Sequence, residues 1–197
     1  MSVTVRLGRH EELETLIELQ SAAILQSRNP AYDAKQRQLV AQHQAAVRRS
    51  SLDEIILVAE HNGQLVGFSS LLNHRPRIAA LYVHPQWWHQ KIGSTLLKAV
   101  EDLARRRHCK QVDVISSLAA ATFYQQWGYC KLRNQSISTR SRQRIPCELL
   151  RKNLIPMTRL ATMQCRAGAI AAWLRFTTAG TIVAWIILMA FLILLLG

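Results

Sequence analysis

Apolar positions change their spacing several times along the chain, and each change marks an element. Val3, Val5 and Leu7 alternate with polar neighbours, the period of a strand. Leu13, Leu16, Ile17 and Ile24 then follow helical spacing, and residues 32–49 predict a second, more polar helix. Ile55-Ile56-Leu57-Val58-Ala59 is a β-branched run that ends at His61-Asn62-Gly63, and Leu65-Val66-Gly67-Phe68 resumes beyond it. Asn-Gly between two such runs predicts a tight hairpin. A third apolar run, 78–83, stops at Pro85. Residues 92–107 place Leu96, Leu97, Val100, Leu103 and Ala104 on one face of an amphipathic helix, whose Arg105-Arg106-Arg107 end suits the negative end of the helix dipole. Val112, Val114 and Ile115 predict a strand, 118–127 a short helix closed by Gly128, 129–132 another strand and 145–150 one more. The order βααβββαβαβ, with that additional strand, predicts a mixed α/β fold without internal repeats.

Beyond residue 150 the pattern is different. Residues 176–197 are 22 positions without one Asp, Glu, Lys, Arg or His. As a helix they reach about 33 Å, enough for the ~30 Å hydrocarbon core of a bilayer. A core helix would show a polar face, and this segment has none, so a membrane span is the expectation. Charge sharpens it. The formal net charge is +13, and residues 131–175 hold 10 Lys and Arg against Glu148 alone. Basic residues beside a span favour the cytoplasmic side, so a tail-anchored protein with its folded domain in the cytoplasm is expected, with membrane lipid rather than nucleic acid as the partner of the basic flank. The organisation predicted is a domain over 1–150, a basic juxtamembrane linker over 151–175 with Arg159, Arg166 and Arg175 along it, and a transmembrane helix over 176–197. Gly180 and Ala184 have the small-x-x-x-small spacing that lets helices pack, which is compatible with a homodimer. The start of the chain lacks the long apolar stretch of a signal peptide. Apolar residues make up 49% of the chain, sufficient for a sizeable core. The cysteines, at 109, 130, 147 and 165, show no Cys-x-x-Cys pair and no His spacing for zinc, so no metal is expected; Cys130 and Cys147 read as core fillers.

Candidate chemistry lies where the strand at 78–83 gives way to the helix at 92–107. Leu81-Tyr82-Val83-His84-Pro85-Gln86-Trp87-Trp88-His89-Gln90-Lys91-Ile92-Gly93-Ser94 runs from strand through loop to helix start. A helix N-terminus offers unpaired N–H groups and a positive dipole end, a ready site for a pyrophosphate. This layout resembles the acyl-CoA site of the GNAT acetyltransferase superfamily, where Leu-x-Val-x-Pro is followed by (Gln/Arg)-x-x-Gly-x-(Gly/Ala). Downstream, Ser117-Leu118-Ala119-Ala120-Ala121-Thr122-Phe123-Tyr124-Gln125-Gln126-Trp127-Gly128-Tyr129 is similar to the family signature Asn-x-x-Ala-x-x-(Leu/Phe)-Tyr-x-x-x-Gly-(Phe/Tyr). The resemblance covers about residues 3–150. Three positions depart from it: Trp88 stands for Gln or Arg, Lys91 for a glycine, and Ser117 for the Asn that meets the pantetheine arm. Lysine at 91 either supplies a charge to the pyrophosphate or blocks the loop.

The resemblance implies a GNAT-type, mostly antiparallel sheet flanked by helices, and acetyl transfer from acetyl-CoA directly to an amine. It places backbone groups of Leu81 and Val83 at the acyl carbonyl, and Gln90, Lys91, Gly93, Ser94 and Ser117 around the rest of the co-substrate. Tyr124 falls at the family's usual general-acid position, and a phenol is protonated at neutral pH. No base stands out among Glu60, His74 and His84, and the acceptor amine is left open. The alternative is a non-catalytic module on the same fold that senses acyl-CoA or docks a protein.

Overall fold

The computed structural model describes residues 3–27, 29–50, 53–139 and 143–155. The greater part of the expected linker and the whole of the expected span lie outside the described residues; among those described, no helix is long and apolar enough to cross a membrane. Residues Met1–Ile155 form one compact unit.

The elements follow the predicted order: β1 (Thr4–Leu7), α1 (Leu13–Leu25), α2 (Ala34–Ser50), β2 (Glu54–His61), β3 (Gln64–Leu72), β4 (Arg77–Val83), α3 (Ile92–Arg106), β5 (Gln111–Ser117), α4 (Ala121–Gln126), β6 (Cys130–Ser138) and β7 (Arg144–Asn153). Asn62 and Gly63 turn the β2–β3 hairpin with φ of 50° and 79°, the left-handed pair that a two-residue hairpin requires. The seven strands form one sheet in the order β1-β2-β3-β4-β5-β7-β6, antiparallel throughout except for β4 beside β5. The last strand therefore enters between β5 and β6. It also continues through Asn153, so the first residues read as linker belong to the sheet, and Leu154 is buried after it.

Alternation along the central strands divides the core between the two faces of the sheet. Leu57, Leu71, Ile78, Val112 and Val114 meet Leu97, Val100 and Ala104 of α3. Val58, Phe68 and Ala80 meet Leu16 and Leu19 of α1 on the other face. Close seating of α3 needs a glycine: a Cβ on Gly67 would lie 2.9 Å from the Tyr82 carbonyl oxygen and 3.0 Å from Leu96 Cδ1. Two buried ion pairs tie helices to strands. Glu101 of α3 receives Lys152 of β7 at 2.8 Å, and Arg48 of α2 reaches Glu54 of β2 at 2.6 Å while its guanidinium lies over Phe68. Cys147 is buried as a core filler, whereas Cys130 is half-buried at the start of β6.

Candidate active site

The site begins as a defect in the sheet. Parallel β4 and β5 pair only at Arg77↔Asp113 and Ile78↔Val114 and then part. β7 holds β5 along its whole length, from Gln111↔Asn153 to Ser117↔Cys147, and β3 holds β4. On β4 the register passes from Ser70↔Ala80 to Leu71↔Ile78, so Ala79 is the extra residue of a bulge just where the strands separate. Beyond it, the hydrogen bond from His84 N to Val66 O, 2.9 Å, sets the phase of the antiparallel ladder. Ala80, Tyr82 and His84 are the residues bonded to β3, and the backbone groups of Leu81 and Val83 face the gap.

That gap opens into a cavity of about 660 Å³. One end of it is built from the β4–α3 loop. Here His89 and Lys91 both take left-handed backbone conformations, φ 63° and 61°. Lys91 thus adopts, at some strain, the geometry that a glycine takes freely. Trp88 folds back so that its indole Nε1 donates to the Val83 carbonyl at 2.8 Å. Neither residue closes the slot; both are in its wall. Lys91 is the N-cap of α3 and provides no side-chain cap. The first intrahelical bond runs from Thr95 N to Lys91 O, 3.0 Å, so the N–H groups of Ile92, Gly93 and Ser94 precede any partner in the helix. A Cβ on Gly93 would sit 3.8–3.9 Å from Phe123, Val83 and Leu81, an ordinary contact, so the protein's own packing does not require glycine here. An open helix end, a lysine and a bare backbone position facing one cavity suit the diphosphate of a coenzyme A thioester.

Tyr124 approaches from α4. Its ring packs edge-on against Phe123 and Tyr129, with centroids 5.3 Å away in each case. It is buried but lines the cavity, and its hydroxyl has no hydrogen-bond partner among the described residues. Burial, with Tyr82 nearby, raises its pKa above the ordinary tyrosine value. The phenol therefore stays protonated at neutral pH, as a proton donor must.

The profile of the acetyltransferase (GNAT) domain family matches residues 27–142, more than half of the chain. The chain belongs to the GNAT family. A spermidine N(1)-acetyltransferase of Thermoplasma acidophilum is 28% identical over 121 residues, covering 54% of this chain and 73% of that protein. Among solved structures, a GCN5-related N-acetyltransferase of Rhodopseudomonas palustris superposes with a TM-score of 0.70 at 27% identity, over 78% of this chain and 96% of that one. The PaiA N-acetyltransferase of T. acidophilum, solved with coenzyme A, gives 0.57 at 22% identity, over 78% and 99%, and speaks for the fold. This GNAT protein is an acetyl-CoA-dependent N-acetyltransferase.

Of the residues named from sequence, Leu81, Val83, Lys91, Gly93, Ser94, Ser117 and Tyr124 all line this cavity. Gln90 is not in the lining; it is exposed, and its amide donates to Gln86 O at 3.4 Å. Ser117 ends β5, and its carbonyl accepts from Ser116 Oγ and Ala120 N. The three residues weighed as bases are away from the lining. Glu60 pairs with Arg6, exposed His74 pairs with Asp53, and His84 Nδ1 accepts from Gln86 N. Sequence reading missed the other end of the cavity, formed by Ala23, Ile24 and Ser27 of α1 and its exit, by Tyr32, and by Arg37 and Val40 of α2. Tyr32 is the joint there: its hydroxyl donates to Pro146 O at 2.6 Å and accepts from Leu118 N at 2.8 Å. No local signal announces a partner more than a hundred residues away.

Proposed function

We propose that the acetyl group passes directly to an amine in the slot between β4 and β5, without an acyl-enzyme. The observation that carries this reading is the meeting, in one cavity, of the gap-facing backbone of Leu81 and Val83, the uncapped start of α3 and the buried hydroxyl of Tyr124. Lys91, Gly93 and Ser94 hold the diphosphate, and Ser117 faces the pantetheine arm. As the amine nitrogen bonds to the thioester carbon, negative charge develops on the carbonyl oxygen, and the Leu81 and Val83 N–H groups are placed to receive it. The carbon–sulfur bond then breaks, Tyr124 gives its proton to the departing sulfur, and the proton leaving the acetylated nitrogen passes to solvent. Trp88 and Lys91 are compatible with this role, because one occupies a strand carbonyl and the other a glycine-like backbone position at the rim.

The same proposal anchors the enzyme to the cytoplasmic face of a membrane through residues 176–197, supported by their uncharged composition and by the arginine-rich flank ahead of them.

Two experiments test it. Calorimetric titration of the detergent-solubilised full chain with acetyl-CoA should give saturable binding, and an amine screen should release free thiol; no binding overturns the catalytic assignment. In vesicles, protease added to the cytoplasmic side should remove residues 1–155 while alkaline extraction leaves the remainder in the membrane. Release of the intact chain by alkali overturns the anchor.

A further inference from the structure

Acceptor preference is written in the end of the cavity that the donor does not need. Among the described residues lining the cavity, none is Asp or Glu. The basic groups in the lining are His89 and Lys91, on the loop before α3, and Arg37, on α2. Ala23 and Ile24 of α1 and Val40 of α2 line the cavity as well, with Ser27 and Tyr32.

Arg37 is half-buried and held in place. Its Nη1 donates to Tyr32 O at 2.6 Å, and the Tyr32 side chain is itself pinned to Leu118 and Pro146. No carboxylate of the described residues lies within ion-pair distance of its guanidinium. Of the acids on neighbouring segments, Asp33 accepts from Gln36 N at 2.7 Å and Glu148 pairs with Lys131 through Oε1, its buried Oε2 having no hydrogen-bond partner among the described residues; neither lines the cavity. Arg37 thus keeps a positive charge and spare donors at the wall of a largely apolar chamber.

Such a chamber discriminates by charge. A polyamine entering it would lose hydration from its remote ammonium groups and find no carboxylate to replace the water, with Arg37 and Lys91 repelling it. A carboxylate would find a fixed guanidinium with free N–H groups, the strongest kind of charge-assisted pairing available to a side chain. We infer that the acceptor is an amine that also carries a carboxylate, with an apolar body between them, and that Arg37 binds the carboxylate while the amine enters the β4–β5 slot. This rests on the transfer reading above and adds the substrate class to it.

The test uses the full chain in detergent with acetyl-CoA. Acceptors are a ladder of ω-amino carboxylates of increasing length, leucine and phenylalanine, each beside the amine or amide lacking the carboxylate, and spermidine. At one or more chain lengths the carboxylate should raise kcat/KM about tenfold or more over its uncharged partner, the size expected of one charge-assisted pair. Arg37→Gln should remove that advantage through KM, lowering kcat/KM for the carboxylates about tenfold more than for their partners without the carboxylate. A binding arm needs no turnover: the N-acetylated carboxylate products, titrated in the presence of coenzyme A, should bind the wild type and not Arg37→Gln. If spermidine is the best acceptor, or Arg37→Gln leaves the carboxylate advantage intact, the inference is overturned while acetyl transfer stands. If no amine is acetylated yet the products bind in an Arg37-dependent way, direct transfer is overturned and the assignment of this chamber stands.

Discussion

The two ends of the cavity are made in opposite ways. The donor end comes chiefly from one unbroken stretch, residues 81–94, joined by Ser117 and Tyr124, and works mainly through backbone: gap-facing groups of Leu81 and Val83, left-handed Lys91, and the open N–H groups of the first turn of α3. The acceptor end is assembled from α1, the segment after it and α2, and works through side chains, with Tyr32 reaching across the fold to Pro146 and Arg37 fixed on the Tyr32 carbonyl. Backbone geometry is reproduced by many sequences, so it serves the part of the reaction that any acetyl-CoA-dependent relative shares. Side chains on separate helices vary independently of it, so they serve the choice of amine. Two of the three departures from the family pattern, Trp88 and Lys91 at the donor end, fit this division. Trp88 acts there by accepting its place against a carbonyl, and Lys91 by taking a glycine's backbone angles.

This division is open to direct attack. The largest effect is expected where the ends meet. Tyr124→Phe should lower kcat by about a hundredfold or more, the usual worth of a positioned acid, while acetyl-CoA affinity holds. Because burial raises the Tyr124 pKa, the acid form persists as pH rises, so the wild-type kcat should show no alkaline limb below about pH 10. A limb near pH 8 would remove Tyr124 from the role. Next in size, Gly93→Leu should fill the slot mouth and weaken acetyl-CoA binding by about a hundredfold, as the cost of losing two charge-assisted hydrogen bonds. Thermal unfolding of Gly93→Ala should change little, since a Cβ there makes only ordinary contacts. Equal loss of stability and binding would show that Gly93 serves packing instead.

Smaller effects separate the ends from each other. Tyr32→Phe leaves Leu118 N without its acceptor and Pro146 O without its donor, so unfolding by denaturant should show a loss of about 1–3 kcal/mol. The KM for the amine should rise while that for acetyl-CoA does not; a rise in both would mean that the two ends are one mechanical unit. Smallest of all, Lys91→Gly should relieve the strain of φ 61° and stabilise the domain by up to about 1 kcal/mol, read in the same denaturant curves. A clear destabilisation would show that the lysine side chain holds the loop.

Legibility follows the same line. The β2–β3 hairpin was readable because Asn62-Gly63 dictates its own turn, and the α3 start because strand, loop and amphipathic helix follow one another without interruption. Five of the eight site residues named from sequence face the cavity for that reason, and Ser117 and Tyr124 reach it from β5 and α4; Gln90 is exposed, between two residues with left-handed angles. Nothing local announced the bulge at Ala79 or the pairing of buried Arg48 with Glu54, since each depends on what another strand or helix presents.

What the chain alone determined is the succession of strands and helices, the hairpin, the apolar faces and the phosphate-type loop, because each arises between residues a few positions apart. Only the tertiary structure decided that β7 lies against all of β5 while β4 leaves it after two residues. Strand pairing is settled by hydrogen bonds and apolar burial summed over distant segments. The slot, and with it the place where an amine can meet a thioester, exists because that sum favours β7 on one side of β5 and leaves the other side open.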